Sequence, residues 1–269
     1  MANSPGPQRA RKRFGQNFLR DERVITRIVK SIQPRSGDRL VEIGPGQGAL
    51  TGALLAAHGE LDAIELDRDL LAGLRTQFFN YSGFRLHEGD ALQVDFAELR
   101  GDGAPLRVVG NLPYNISTPL IFHLIAAGDA IRDMHFMLQR EVVQRLAAEP
   151  GSGQRGRLSV MAQYYCQVMA LFSVPPEAFV PQPKVESSIV RLVPWQEKPH
   201  AAEDEALLAE LVRRAFTQRR KTLRNNLGGW ITGDTLTALA IDPGRRPETL
   251  TVAEFVALAN HPAVTLSAS

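Results

Sequence analysis

Leu40-Val41-Glu42-Ile43-Gly44-Pro45-Gly46-Gln47-Gly48 reads as a short apolar strand running straight into a glycine-rich turn. Glycines at such a turn permit backbone angles closed to other residues and let a ligand approach the main chain. The following Ala49 to Ala57 predicts a helix, whose first amides have no intrahelical acceptor. Glu65 ends the next strand, Leu61 to Glu65, about 20 residues on, where a carboxylate grips ribose hydroxyls in dinucleotide folds. Asp90 closes a third strand, Phe84 to His87, and lies within reach of an adenine edge. A glycine turn alone is a common tight turn. Here the spacing is Gly-x-Gly-x-Gly, so the third glycine falls early for a pyrophosphate fingerprint. Acids at Glu42, Glu65 and Asp90 line successive strand ends and suit a cationic sulfonium better than a diphosphate. The cofactor expected is S-adenosylmethionine, held by Gly44, Gly46, Glu65 and Asp90.

The rest of the chain alternates strands and helices around that unit. Val24, Ile25, Ile28, Val29 and Ile32 share one face of a helix predicted over Asp21 to Ile32. Further helices are expected over Asp69 to Phe79, Pro119 to Ala127, Arg140 to Ala148 and Leu158 to Tyr165. Strands are expected over Arg107 to Val109, Ile131 to Leu138 and Val168 to Val174, with an edge strand at Ser188 to Val193. The fold class is therefore α/β, a mostly parallel central sheet covered by helices. Composition shifts after Pro194. Beyond a polar stretch only helical patterns follow: Leu207 to Phe216, Arg219 to Leu227, Thr235 to Ala240 and Val252 to Ala259. The expected organisation is a disordered tail at 1–8, a cofactor-binding domain at 9–194, a linker at 195–205, and a small all-helical domain at 206–269.

The chain has 269 residues, 44% hydrophobic and 22% charged, as a water-soluble globular protein does. No apolar run approaches the ~20 residues that span a bilayer, and Met1 to Gln8 lack a secretory core. The first twenty residues carry basic side chains and no acid, a pattern that a mitochondrial transit peptide shares. The single cysteine, Cys166, excludes an intramolecular disulfide and fits a reducing compartment; in an apolar stretch read as helical, it is expected to be inert. Six scattered histidines give no close ligand pair, so no metal site is expected. A net charge of +2 hides two basic clusters, Arg9 to Arg13 and Arg213 to Arg224. Concentrated cations on a nearly neutral chain point to a polyanion, with solvated helix faces as the plain alternative.

Val109-Gly110-Asn111-Leu112-Pro113-Tyr114 follows a strand at the carboxyl edge, where open α/β sheets bind ligands. The exocyclic amine of adenine is a poor nucleophile because its lone pair is delocalised into the ring. The Asn111 side chain and the carbonyl of Leu112 can accept both amine hydrogens and favour a pyramidal nitrogen aimed at a methyl donor. Pro113 fixes the turn, and Tyr114 supplies a ring to stack on the base. Phe179 is a candidate second wall, since extruded bases are commonly sandwiched by aromatic groups; plain core packing is its rival use. Lys184 is a candidate phosphate contact.

Together the segments Arg11 to Leu19, Glu42 to Gly48, Ile64 to Asp67, Gly89 to Ala91, Asn111 to Asn115 and Phe179 to Val185 resemble the ribosomal RNA adenine dimethyltransferase family. Gly156 to Val160 and Phe216 to Arg224 are similar to its bacterial small-subunit branch. The resemblance covers nearly the whole chain past residue 9. It implies a Rossmann-like methyltransferase fold and two adjacent dimethylated adenines near the 3′ end of small-subunit (16S) ribosomal RNA. It also implies a partly assembled 30S particle as partner, a cytoplasmic monomer, and Asn17, Leu19 and Asn111 as further cofactor contacts. RNA would meet Arg11, Lys12, Arg13, Lys184, Arg220, Lys221 and Arg224. Three rivals remain at this point: a large-subunit methylase, a non-catalytic RNA-binding assembly or transcription factor keeping the fold, and a nicotinamide oxidoreductase. The last is disfavoured by the glycine spacing.

Overall fold

The computed structural model describes residues 17–113 and 116–265. The expected tail, Arg11, Lys12, Arg13 and Tyr114 lie outside the described residues. The elements are β1 (Phe18–Leu19), α1 (Glu22–Ile32), β2 (Arg39–Ile43), α2 (Ala49–His58), β3 (Glu60–Glu65), α3 (Arg68–Gln77), β4 (Gly83–Glu88), α4 (Phe96–Arg100), β5 (Leu106–Asn111), α5 (Ser117–Ala126), β6 (Ile131–Gln139), α6 (Arg140–Leu146), α7 (Arg157–Tyr165), β7 (Cys166–Val174), β8 (Phe179–Val180), β9 (Ser187–Pro194), α8 (Glu205–Ala215), α9 (Leu223–Leu227), α10 (Gly233–Ala238) and α11 (Val252–Ala259). Seven strands form a sheet in the order β4-β3-β2-β5-β6-β9-β7. The pairs β4–β3, β3–β2, β2–β5 and β5–β6 are parallel, and β9 runs antiparallel to β6. The Rossmann-like α/β class expected from the sequence is the class observed.

Local chemistry sets the boundaries. Asp21 caps α1, its Oδ1 accepting from the Arg23 and Val24 amides at 2.8 and 3.2 Å. Ile25, Ile28 and Ile32 form the buried stripe of α1 and join a core with Leu40, Val109, Met137 and Ile189 of the sheet. β5 is buried along its first five residues, as a strand covered on both faces must be.

Two expectations need correction. Ser188 to Val193 does not form an edge strand, because β9 lies between β6 and β7. Its first four residues are all buried, whereas β7 is half-exposed along its length and is the true edge. Arg219 to Leu227 is not one helix either. Thr222 is extended at the N-cap of α9, and Asn226 binds both the amide and the carbonyl of Gln218, so Gln218 to Lys221 form a turn.

By packing, residues up to 143 together with 169–194 form one unit, and 144–168 together with 195 onward form another. The stretch 144–168, grouped with the sheet by sequence pattern, gathers with the C-terminal helices. Arg155 is the reason. Buried to 2% exposure, it donates to the carbonyls of Ala148 at 2.6 Å and Leu250 at 3.1 Å. Tyr164 and Tyr165 likewise donate to the Glu205 carboxylate at 3.0 and 2.9 Å. In α8, Leu208, Leu211, Val212 and Ala215 are buried, the face their spacing predicted. Cys166 opens β7 rather than sitting in a helix, and burial pushes its thiol up to about 12, which leaves it unreactive.

Candidate active site

The three loop glycines of the opening motif all hold left-handed angles: Gly44 at φ 68°, Gly46 at 59° and Gly48 at 81°. That conformation is costly for any residue with a Cβ. A Cβ on Gly48 would also stand 2.7 Å from the Phe78 ring. The turn closes through the Gly48 amide donating to the Pro45 carbonyl at 2.9 Å. Gly44 donates to the Ile64 carbonyl at 2.9 Å, and Gly89 to the Glu65 carbonyl at 3.0 Å. These bonds align the carboxyl ends of β2, β3 and β4.

Glu65 sits at that edge, 6% exposed. Its Oε2 accepts from the Gly46 amide at 3.1 Å and its Oε1 from the Asp67 amide at 2.8 Å. Burial raises its pKa against the opposing pull of those amides. Asp90 is half-buried, and its Oδ1 accepts from the Leu92 amide at 3.0 Å. Glu42 lies deeper, its Oε2 accepting from the Thr51 hydroxyl at 2.6 Å. Burial pushes its pKa up to about 8, with the nearby Glu65 charge adding to the rise and the Thr51 bond opposing it.

This has a measurable consequence. A carboxyl raised from 4.5 to about 8 by folding contributes stability that is complete below the lower value and lost as pH climbs through the higher one. Unfolding of the wild type by urea therefore grows easier between about pH 5 and pH 8, on the order of 1 kcal/mol per unit. Glu42→Gln, which keeps the size and the Thr51 contact, flattens that slope. An unchanged slope would mean that Glu42 is ionised throughout.

At the end of β5 the Asn111 amide nitrogen donates to the Asn17 carbonyl at 3.0 Å. That bond engages Nδ2 as a donor, and the side-chain Oδ1 is the acceptor of the same amide. The Leu112 amide donates to the Met137 carbonyl at 3.2 Å, anchoring the chain ahead of Pro113. Gly110 is required just before: a Cβ there would lie 2.6 Å from the Ile43 carbonyl oxygen.

One cavity gathers nearly every expected residue of the sheet edge. Asn17, Leu19, Gly44, Gly46, Glu65, Asp90, Asn111, Leu112, Pro113 and Phe179 all line it. Two features were not foreseen. The first is the two-residue ladder between β1 and β8, which pairs Leu19 with Phe179 and Phe18 with Val180. It brings Asn17 to Asn111 across 94 positions of sequence. Phe179 is 2% exposed and belongs to the core beneath while also lining the cavity. The second is His135, which lines the inner end of the cavity and which sequence reading passed over as a scattered histidine. Strand alternation on β6 could have found it, since it shares a face with Asp133 and Met137.

Lys184 is exposed on the loop after β8. In the helical unit the basic cluster proves narrower than its sequence. Arg213 and Arg214 both bind Glu210 at 2.6 Å, Arg214 lies over the Trp230 ring, and Arg219 donates to the Gly153 carbonyl. Arg220, Lys221 and Arg224 are exposed and form no ion pair among the described residues. Among the described residues no helix is long and apolar enough to cross a membrane.

Comparison with known proteins adds the family. The sequence profile described as "Ribosomal RNA adenine dimethylase" matches residues 7–263. The chain is 66% identical over 269 residues to "Ribosomal RNA small subunit methyltransferase A" of Chromohalobacter salexigens, covering 98% of this chain and 95% of that protein. It is 60% identical over 252 residues to the protein of the same name from Pseudomonas aeruginosa, covering 94% of each. Among solved structures, a dimethyladenosine transferase from Plasmodium falciparum superposes with a TM-score of 0.76 at 24% identity, covering 89% of this chain and 95% of that one. The 23S rRNA methyltransferase ErmE gives 0.73 at 23% identity, covering 90% and 98%. Those two likenesses are nearly equal and show the fold alone.

Proposed function

The chain belongs to the ribosomal RNA adenine dimethylase family, and from that premise we propose that it dimethylates the exocyclic N6 amine of two adjacent adenines near the 3′ end of small-subunit (16S) ribosomal RNA. The small-subunit substrate is favoured by the relatives at 60 and 66% identity, both named for that subunit. S-adenosylmethionine is the proposed cofactor, and when bound it supplies an electrophilic methyl group on a good leaving group. The residues present fit it. Glu65 offers a carboxylate to a ribose diol, Asp90 keeps its second oxygen for an adenine amine, and the left-handed glycines bring bare main chain to the cavity. Glu42 and Glu65 both line the cavity and are raised by burial; a cationic guest beside them would lower both.

The observation that carries the acceptor role is the Asn111–Asn17 bond. With Nδ2 committed, Oδ1 is left to accept one hydrogen of the amine, and the Leu112 carbonyl is placed in sequence to accept the other. Two acceptors on one NH₂ draw the nitrogen toward a pyramidal shape, so its lone pair projects from the ring plane. Catalysis is then mainly positioning. Phe179 lines the cavity as one wall for the base, with Tyr114 proposed as the opposite face.

Arg220, Lys221, Arg224 and Lys184, with Arg11, Lys12 and Arg13, are proposed to hold the phosphate backbone, and the helical unit as the RNA-binding domain. Removing Arg220, Lys221 and Arg224 together weakens RNA binding and lowers the slope of log affinity against log salt by about 2–3, one released counterion per contact. Filter binding from low to high salt reads this directly; an unaltered slope would place the patch away from RNA. The proposed partner is a partly assembled 30S particle in the cytoplasm, met by a monomer. Mass spectrometry of ribosomal RNA from cells lacking the protein tests the whole reading. Loss of dimethyladenine from the small subunit is expected, and loss from the large subunit alone would overturn the substrate.

A further inference from the structure

His135 is a buried polar group of this cavity that the positioning scheme leaves without a task. Its side chain is 1% exposed, yet neither ring nitrogen has a hydrogen-bond partner among the described residues. An unpaired buried imidazole is costly, and such groups are normally explained by an ordered water or a ligand. The surroundings narrow the choice. On its own strand Asp133 approaches Nδ1 only to 3.8 Å, because Arg107 of β5 holds that carboxylate through two bonds of 3.0 Å. Arg191 of β9 adds a third at 3.2 Å. From α1 the Ser31 carbonyl approaches the ring without meeting hydrogen-bond geometry. Ile28, Met137 and Ile189, which line the same cavity, are apolar. Register places His135 beside Val109 and Met137 beside Asn111, so the imidazole sits one pleat below the proposed acceptor residue on the same face of the sheet.

We propose that His135, through a water bound at the inner end of the cavity, takes the proton shed by the acceptor amine after each methyl transfer. The inference rests on the reading that Asn111 grips that amine. As the nitrogen lone pair forms the new N–C bond, the bond between carbon and the donor sulfur breaks with its electrons going to sulfur. The nitrogen then carries a positive charge and one N–H proton too many. That proton passes to the water, and a proton of the water passes to the basic ring nitrogen. The imidazolium faces the Asp133 carboxylate and releases its proton to solvent as the site opens. Two successive transfers to one nitrogen make the step necessary, because only a neutral monomethylated amine can attack again. Burial is the main reason that His135 is lowered to about 4, so the imidazole is neutral across the physiological range and holds a proton only briefly, beside the Asp133 carboxylate.

The test uses full-length protein with S-adenosylmethionine and small subunits lacking the modification. In His135→Phe, single-turnover formation of dimethyladenine slows about tenfold or more, and monomethyladenine accumulates. Calorimetric binding of S-adenosylmethionine stays within twofold of wild type. His135→Ala behaves alike, and added imidazole restores its second transfer where pyrazole, a similar ring of far weaker basicity, does not. Should the phenylalanine fail to fold, His135→Gln, polar but unable to hold the proton, takes its place and is expected to accumulate the same intermediate. Independently of activity, ¹⁵N spectra of the free protein should show a neutral His135 ring in exchange with a water. Wild-type rate constants and product ratios in Phe and Gln variants, or equal rescue by pyrazole, would overturn the proposal. The Asn111 reading fails separately, on retention of the first methyl transfer at the wild-type rate in Asn111→Ala.

Discussion

Asn111→Ala lowers single-turnover methyl transfer by about 10²–10³-fold, the range lost when one preorganised polar partner of a reacting group is removed. The size follows from geometry. Alanine deletes the oxygen proposed to accept an amine hydrogen, and it also releases the Asn17 carbonyl, which the Asn111 side chain holds at 3.0 Å. The amine then stays flat and conjugated, and small losses of alignment weigh heavily on in-line transfer. RNA affinity and its salt dependence should remain close to wild type, because none of the exposed cations is touched. Asn111→Asp separates the two roles, keeping an acceptor oxygen while losing the donor to Asn17. Methylation by the alanine variant at the wild-type rate would reject the acceptor role.

Arg107→Met destabilises the fold by about 3–5 kcal/mol at neutral pH, because it removes the one buried cation shared by two buried carboxylates and leaves each with only a half-exposed arginine, Arg132 for Asp38 and Arg191 for Asp133. Arg107 bridges Asp38 at 2.7 Å and Asp133 at 3.0 Å, all three side chains being no more than 5% exposed. It also donates to the Ile32 and Gln33 carbonyls at 2.6 and 3.2 Å, closing the C-terminus of α1. Burial alone would raise both acids; the Arg107 bonds, joined by the Arg35 amide and Arg132 at Asp38 and by Arg191 at Asp133, outweigh it and hold both below the ordinary value of 3.8. Groups lowered in this way contribute stability above their unfolded pKa and lose it as pH falls through the folded value. Methionine removes the strongest of the opposing partners, so ionising the two acids costs more and the variant's deficit against wild type grows as pH rises from about 4 toward 7. Urea unfolding at pH 5 and pH 7.5 should show the larger deficit at the higher pH. A deficit that is small or equal at both would mean that water has entered the network.

The contrast between these two sites explains what the sequence could disclose. Glu42, Asp90 and Asn111 were readable because each lies at a strand end marked by glycine or proline, Glu65 because it ends the next strand about 20 residues on, and parallel strands bring such ends to one edge. The Arg107 network was not readable. Its partners lie 26 and 69 positions away, and nothing local marks an arginine inside an apolar strand as paired. The β1–β8 ladder stayed hidden for a similar reason: two residues are too few to show an alternating pattern. Arg213 and Arg214 looked like part of an RNA-facing patch because composition counts charges, and only the structure shows Glu210 neutralising them. The same limit concealed the inward position of β9, since strand order in a sheet depends on long-range pairing rather than on local pattern.

The pairing of Leu19 with Phe179 has a practical meaning for chemists. Two rungs of ladder cannot persist unaided; these survive because both side chains are sunk in the core. One short brace thus carries the lip on which Asn17 rides and the panel proposed to face the incoming nucleobase. A compound wedged between the two would disarm both halves of the reaction at once. It would do so without competing for the glycine turn, the part of the pocket most apt to be shared with other nucleotide-binding enzymes.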